Sequence, residues 1–178
     1  ELIANAKKPI FYIGGGCINS GTRACELVTE LVKLTGYPAT TTIMGLGAFP
    51  ASSQQWLGML GMHGTYESNL AMYDCDVMVA IGARFDDRVT GRTDAFSPNS
   101  KKIHIDIDPS EIHKNVHVDV PLVGNLKTVL GDMIEQVDPN DHEEWLDQIA
   151  EWRAESEARD ILSRPDDNKL HPAQVVRE

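Results

Sequence analysis

The stretch DVMVAIG, residues 76–82, does most to limit what this chain can become. Val77 to Ile81 are apolar without interruption, so a strand there has no polar face to turn toward water. A strand buried on both faces needs a layer on each side of its sheet. That is the position of a central strand in a parallel sheet covered by helices. Gly82 ends the run, and Arg84, Asp86, Asp87 and Arg88 crowd the positions that follow. Charge packed that tightly against a buried strand is either a structural ion-pair network or a ligand site.

The flanking segments supply the layers. PIFYIGGG (9–16) is a short apolar run ending in three glycines. GTRACELVTELVKLTG follows, with Ala24, Leu27, Val28, Leu31, Val32 and Leu34 at helical spacing and Gly36 as the stop. PATTTI (38–43) reads as a second strand after Pro38, and MGLGAFP as a glycine-broken loop, which completes a βαβ unit. The stretch on to GMLGMHG reads as loop, and TYESNLAMYDC (65–75) as a short helix before the central strand. KKIHIDIDP (101–109) is another strand, and VHVDVPLVG (116–124) is an edge strand marked by Pro121. NLKTVLGDMIEQV (125–137) is a helix capped by Asn125 that covers one face.

The predicted fold is therefore α/β: a doubly wound, Rossmann-like parallel sheet of about six strands with helices on both faces. Residues 1–137 form that domain, and 138–178 are an acidic helix and linker. Residues 135–167 carry twelve acids against three arginines. Within that helix Trp145, Ile149 and Trp152 make a stripe too narrow for a core, predicted to lie on a surface or against another domain. SRPDDNKLHP reads as linker and PAQVVRE as the start of a further helix.

Composition removes several classes. A net charge of −11 argues against a general nucleic-acid footprint, and no apolar run approaches the roughly 18 residues of a membrane span. Cys17, Cys25 and Cys75 form no CxxC pair, which favours a reducing compartment over a disulfide framework or a thiolate zinc site. The opening ELIANAKKPIF has neither an initiator Met nor a signal-type core, and is expected to belong to a longer protein.

On a doubly wound sheet, ligands lie at the C-terminal ends of the strands, where the unusual motifs fall. IGGGC allows backbone to approach a phosphate, but Asn19 stands where GxGxxG requires glycine, so a plain tight turn remains open. TTIMGLGAFP and LGMLGMHGTY carry Met44, Met59, Met62 and His63 and could wall an extended ligand, or be ordinary loops. Arg84 and Arg88 could clasp a pyrophosphate or pair with carboxylates. In HIDIDPSEIHKNVHVDV, Asp106, with Asp119 second, could accept hydrogen bonds from a ribose or an adenine amine. His113 and His117 have zinc-like spacing on what reads as a strand, so no metal site is expected. No GxSxG, no supported Cys and His pair and no paired carboxylates on one predicted helix facing a pocket appear, so no catalytic residue is assigned.

Taken together, KKPIFYIGGGC, TTIMGLGAFP, LGMHGTYESNLAMYDCDVMVAIGARFDDRVTG and KKIHIDIDPSEIHKN closely resemble the central domain of acetohydroxyacid (acetolactate) synthase large subunits. The resemblance covers about residues 1–137. It implies a thiamine-diphosphate and Mg2+ enzyme of branched-chain amino-acid synthesis, cytoplasmic in bacteria. Such an enzyme condenses two pyruvates, or pyruvate and 2-oxobutyrate, with loss of carbon dioxide. It also implies homodimers or tetramers with a small regulatory subunit, and no nucleic-acid or membrane partner. The central domain would hold an FAD that takes no net redox part. Carried over by position, the FAD contacts are Gly14, Gly15, Gly16, Thr42, Ile43, Met44, Leu60, Gly61, Met62, His63, Gly82, Ala83, Arg84, Asp86, Arg88, Val89, Asp106, Ile107, Glu111, Asp119 and Val120. Met62, Asp87 and Arg88 would also line the substrate channel. The thiamine-activating glutamate and the metal motif belong to flanking domains, so these residues alone are expected to be inactive. The rival reading is a free-standing nucleotide module of electron-transfer flavoprotein or sirtuin-like type, the latter lacking its CxxC pairs here. A pure interaction module built on the acidic helix is a third.

Overall fold

The computed structural model describes residues 1–159; the predicted linker and final helix lie outside the described residues. Six parallel strands form one sheet: β1 (Pro9–Ile13), β2 (Ala39–Thr41), β3 (Trp56–Met59), β4 (Val77–Ile81), β5 (Lys101–Asp106) and β6 (Val120–Val123). Their order is β3-β2-β1-β4-β5-β6. The helices are α1 (Leu2–Asn5), α2 (Gly15–Asn19), α3 (Thr22–Thr35), α4 (Tyr66–Asp74), α5 (Asp87–Thr90), α6 (Leu126–Ile134) and α7 (Glu143–Arg159).

The apolar runs are buried on both sides, as predicted for central strands. All five residues of β1 and of β4 are buried, in register from Pro9 opposite Val77 to Ile13 opposite Ile81. Phe11, Ile13, Val79, Ile81, Ile103 and Ile105 face a core built with Leu27, Val28 and Leu31 of α3 and Leu126 and Leu130 of α6. Ile10, Tyr12, Met78 and Ala80 face a second core with Ala71 and Met72 of α4. Gly36 caps α3 with φ 71°, and the Asn125 side chain caps α6 by accepting from Lys127 N at 2.9 Å.

Two expectations need correction. Residues 56–59, read as loop, form β3; Gly58 at φ 87° and a register shift against β2 break the alternation that marks a strand. The α7 stripe is core after all. Trp145 and Ile149 are 3% and 2% exposed and complete the second core, with Trp152 edge-on to Trp145. The nine-residue α4 shares that sheet face with α7, and the large Trp145 ring lets so narrow a stripe reach the core. Trp145 Nε1 also donates to Pro9 O at 2.9 Å, and Arg153 donates to Trp56 O and Glu67.

Candidate functional site

The strand order reverses at β1 and β4, the topological switch point where doubly wound sheets bind ligands. Gly14 N donates to Ile81 O at 2.8 Å and Gly16 N to Gly82 O at 3.0 Å. A Cβ on Gly14 would stand 2.1 Å from Gly82 O, and one on Gly82, at φ 57°, 2.8 Å from the Gly16 Cα. The glycines are thus needed to let two loops cross backbone on backbone, a structural reason beyond approach to a ligand. Gly15 packs likewise on Met44, whose loop is held by Thr42 accepting from Gly45 N at 3.0 Å.

Beyond Gly82 and the buried Ala83, the charged cluster is splayed by one residue. Phe85 has φ 55°, a conformation uncommon for a bulky side chain, and its ring is buried against Tyr12, Phe96 and His104. With Phe85 turned inward, Arg84 and Asp86 turn outward and pair at 3.0 Å, both more than half exposed. An exposed pair of this kind adds little stability, so the fold does not account for these charges.

Next to it, Met62 N donates to Arg88 O at 3.0 Å, and Asn69 clasps both the N–H and C=O of Gly61. These bonds zip the loop after β3 to α5. Met62, Asp87, Arg88 and His63 are exposed near this corner, Leu60 is buried below it and Val89 is half-buried. Arg88 pairs only loosely with Asp87, at 3.5 Å.

At the end of β5, Asp106 is nearly buried; its Oδ1 accepts from Asp108 N and its carbonyl from Gly124 N. Ile107 is exposed. Glu111 bonds Lys114 through Oε1, while its Oε2 is buried without a partner among the described residues. Asp119 and Val120 are not brought to this edge. β6 starts at Val120, so Asp119 lies at the strand's N-terminal end. There it accepts from Lys101 Nζ and Lys102 N, contacts that hold its carboxyl below the usual range. Val120 instead lines a hollow of about 610 Å³ with Ile3, Tyr37 and Met133. β6 reaches the ligand edge through Gly124 and Asn125.

Sequence reasoning also passed over Thr41, whose buried hydroxyl is unpartnered among the described residues, and His104, fully buried and bonded to Ala83 O. Polar residues at strand ends were the available signal for Thr41 and Asn125. Burial pushes the Cys17 thiol up to about 12 and Cys75 up to about 11, so neither is a thiolate nucleophile near neutrality. His113 and His117 stack at 5.0 Å, and among the described residues no three His, Cys, Asp or Glu side chains gather as a metal site. No helix among them is long and apolar enough to cross a membrane.

Along this edge the most exposed apolar side chains among the described residues are Ile43, Met44, Met62 and Ile107, each about two-thirds exposed. From β3 to β6 the sheet makes five strand-to-strand steps, roughly 24 Å at about 4.8 Å each. The edge is long, apolar in places and supplied with isolated polar groups, as an extended ligand needs.

The chain is 50% identical over 154 residues to an acetolactate synthase of Mycobacterium avium, covering 86% of this chain and 24% of that protein. It is 44% identical over 180 residues to acetolactate synthase isozyme 3 large subunit of Escherichia coli (strain K12), covering 99% of this chain and 31% of the relative. The acetolactate synthase large subunit of Cyanidium caldarium is 41% identical over 186 residues, covering 100% and 31%. The chain thus spans a quarter to a third of the length of these relatives. The family described as thiamine pyrophosphate enzyme, central domain, matches residues 1–133, and the chain belongs to that family.

Proposed function

We propose that this chain is the central part of an acetolactate synthase large subunit, in which it holds an FAD along the C-terminal edge of its sheet and lines the channel to a thiamine site. The observation that carries the flavin reading is the set of exposed apolar side chains Ile43, Met44, Met62 and Ile107 spread along this edge, with the buried Glu111 Oε2, unpartnered among the described residues, near its β5 end. Apolar side chains left in water ask for a flat apolar cover, and a buried carboxylate oxygen without a donor asks for a hydroxyl such as a ribose supplies. These residues fit the group. Glu111 and Asp106 would take the sugar end, Arg84 the pyrophosphate, and Met44 and Met62 the ring system. Gly14, Gly15, Gly16, Gly82, Thr42, Ile43, Leu60, Gly61, His63, Ala83, Asp86, Arg88, Val89 and Ile107 form the surrounding wall. Asp119 and Val120 are left out of this site, being at the other end of β6.

The bound FAD would serve as a fixed wall rather than as a redox partner. Thiamine diphosphate with Mg2+ would supply the carbanion chemistry that joins two 2-oxo acids, pyruvate with pyruvate or with 2-oxobutyrate. This chain contributes no catalytic group to that step. Met62, Asp87 and Arg88, gathered at one corner, would face the channel, with Arg88 the cation for an incoming carboxylate. In this reading residues 1–137 are the central domain and 138–178 lead toward the thiamine-binding domain. The whole enzyme would be a cytoplasmic dimer or tetramer with a regulatory subunit.

The test is spectroscopic. Full-length protein containing this chain should carry FAD that is not reduced stoichiometrically during turnover, and should form acetolactate from pyruvate. The 178-residue chain alone should form none. A flavin cycling between oxidised and reduced forms in step with substrate would support the electron-transfer module instead.

A further inference from the structure

We propose that His104 is a positioning residue that fixes the turn Ala83–Phe85 and thereby aims Arg84 and Asp86 away from the end of β4. The part of this inference that concerns the ligand rests on the flavin reading above; the part that concerns the turn does not.

His104 lies in the middle of β5 with no exposed surface, on the face that packs the second core. An imidazole there costs more to bury than a leucine unless it makes a bond that leucine cannot. It makes one: Nε2 is 2.7 Å from Ala83 O. A carbonyl only accepts, so Nε2 carries the proton and Nδ1 is the bare nitrogen. Nδ1 has no partner among the described residues, so this single contact decides the tautomer. Burial holds the imidazole below its ordinary pKa; the bond to Ala83 O, then Asp106 and Glu111, oppose that effect and His113 adds to it. The ring is therefore neutral near pH 7 and keeps one donor, directed at one acceptor.

The same ring supports the other side of Arg84. Phe85 meets it edge-on at 5.1 Å and 84°. Phe85 is the residue at positive φ, a conformation that persists only where its surroundings hold it. Tyr12 and Phe96 close the rest of its cage, at 5.4 Å and 6.0 Å between ring centroids. His104 thus grips the carbonyl before Arg84 and the ring after it, leaving Arg84 as the exposed member of the three. Asn115 adds a third tie by donating to Arg84 O at 3.2 Å. The loop after β4 takes its shape from a side chain of the neighbouring strand.

The experiment compares His104→Leu with His104→Gln, whose amide nitrogen can reach nearly the place of Nε2. The amides of Val89, Thr90 and Gly91 bond back to Asp86 O and Asp87 O and report whether the turn is set. In the 178-residue chain, His104→Leu should speed their hydrogen exchange on the order of tenfold while Gly14 and Gly82 amides are unchanged, and His104→Gln should restore most of the protection. Ring nitrogen shifts of the parent should show the Nε2–H tautomer, a measurement that needs no variant to fold. Full-length protein containing this chain should lose FAD affinity on the order of tenfold with Leu and recover with Gln. An Nδ1–H tautomer, exchange unaffected by Leu, or Gln behaving like Leu would each overturn the proposal. Should the parent bind no FAD, the flavin reading fails, while exchange and tautomer still decide the role of His104. Should the turn loosen with FAD affinity unchanged, the aiming of Arg84 and Asp86 is refuted.

Discussion

Replacing Trp145 with phenylalanine isolates one hydrogen bond that joins α7 to the sheet. β1 bonds to β2 in steps of two: Ile13 O accepts from Thr42 N, and Phe11 N donates to Pro38 O. Continued backward, the ladder would fill Pro9 O from the nitrogen of residue 38. That residue is proline and has no N–H. Pro9 is buried, and the donor it receives is Trp145 Nε1, at 2.9 Å. Phenylalanine keeps an aromatic ring against Ile149 and Trp152 but leaves that carbonyl unpaired, at a cost of about 2 kcal/mol. For a chain of 178 residues this lowers Tm by roughly 4–8 °C. Trp145→Ala removes the ring as well and should cost about 3–5 kcal/mol. Urea unfolding followed by far-UV circular dichroism measures both. Pro38→Ala restores a ladder donor, so the Phe change should cost about 1 kcal/mol less in that background. A Trp145→Phe midpoint equal to the parent's, or a cost unaffected by Pro38→Ala, would refute the ladder explanation.

Three further outcomes follow from the same geometry. His104 and His142 are both held below their ordinary pKa by burial, so the unfolded chain takes up protons first as pH falls; stability is full above about pH 6.5 and is lost below it, at up to about 1.4 kcal/mol per pH unit for each. Urea midpoints at pH 7 and pH 5 check this, and His142→Phe should flatten the slope. Gly82→Ala combines φ 57° with a Cβ 2.8 Å from Gly16 Cα; it should destabilise by about 2 kcal/mol or more and shift amide signals in both crossing loops on NMR. Glu111→Gln should leave Tm within about 1 °C, because its partner Lys114 is half exposed, yet weaken FAD binding roughly tenfold in a fluorescence titration of full-length protein.

Much of the scaffold could be read from hydrophobic pattern. Val77 to Ile81 had to be a doubly covered strand, and α3 and α6 announced themselves by spacing and caps. β3 escaped because a half-buried strand with a left-handed glycine in its centre has no period of two. The burial of α7 escaped because a helix with acids on most sides looks solvated, and the size of the patch beneath it is a tertiary quantity. In the site, Gly14 to Gly16 and Gly82 read as a tight turn or as an approach to a ligand, and their crossing supplies a packing reason that no linear motif encodes. Asp119 was placed at the wrong end of β6 because VHVDVPLVG does not show where pairing begins. In KKIHIDIDP the isoleucines alternate with His104, Asp106 and Asp108, and nothing in that pattern shows that the polar face at His104 is buried.

The bond from Trp145 to Pro9 spans 136 positions, and this has a consequence for synthesis. Translation delivers β1 well before the helix that roofs one side of the sheet and fills the open acceptor at Pro9, the last element of the described residues. Until about residue 152 has left the ribosome, Ile10, Met78 and Ala80 have α4 and loop residues such as Phe85, Val116 and Val118 above them but lack Trp145 and Ile149, and the nascent sheet carries an apolar opening. A chain stopped at residue 137 would retain every strand yet be prone to stick to others of its kind. Any expression boundary drawn around the βα units alone should therefore be moved past α7.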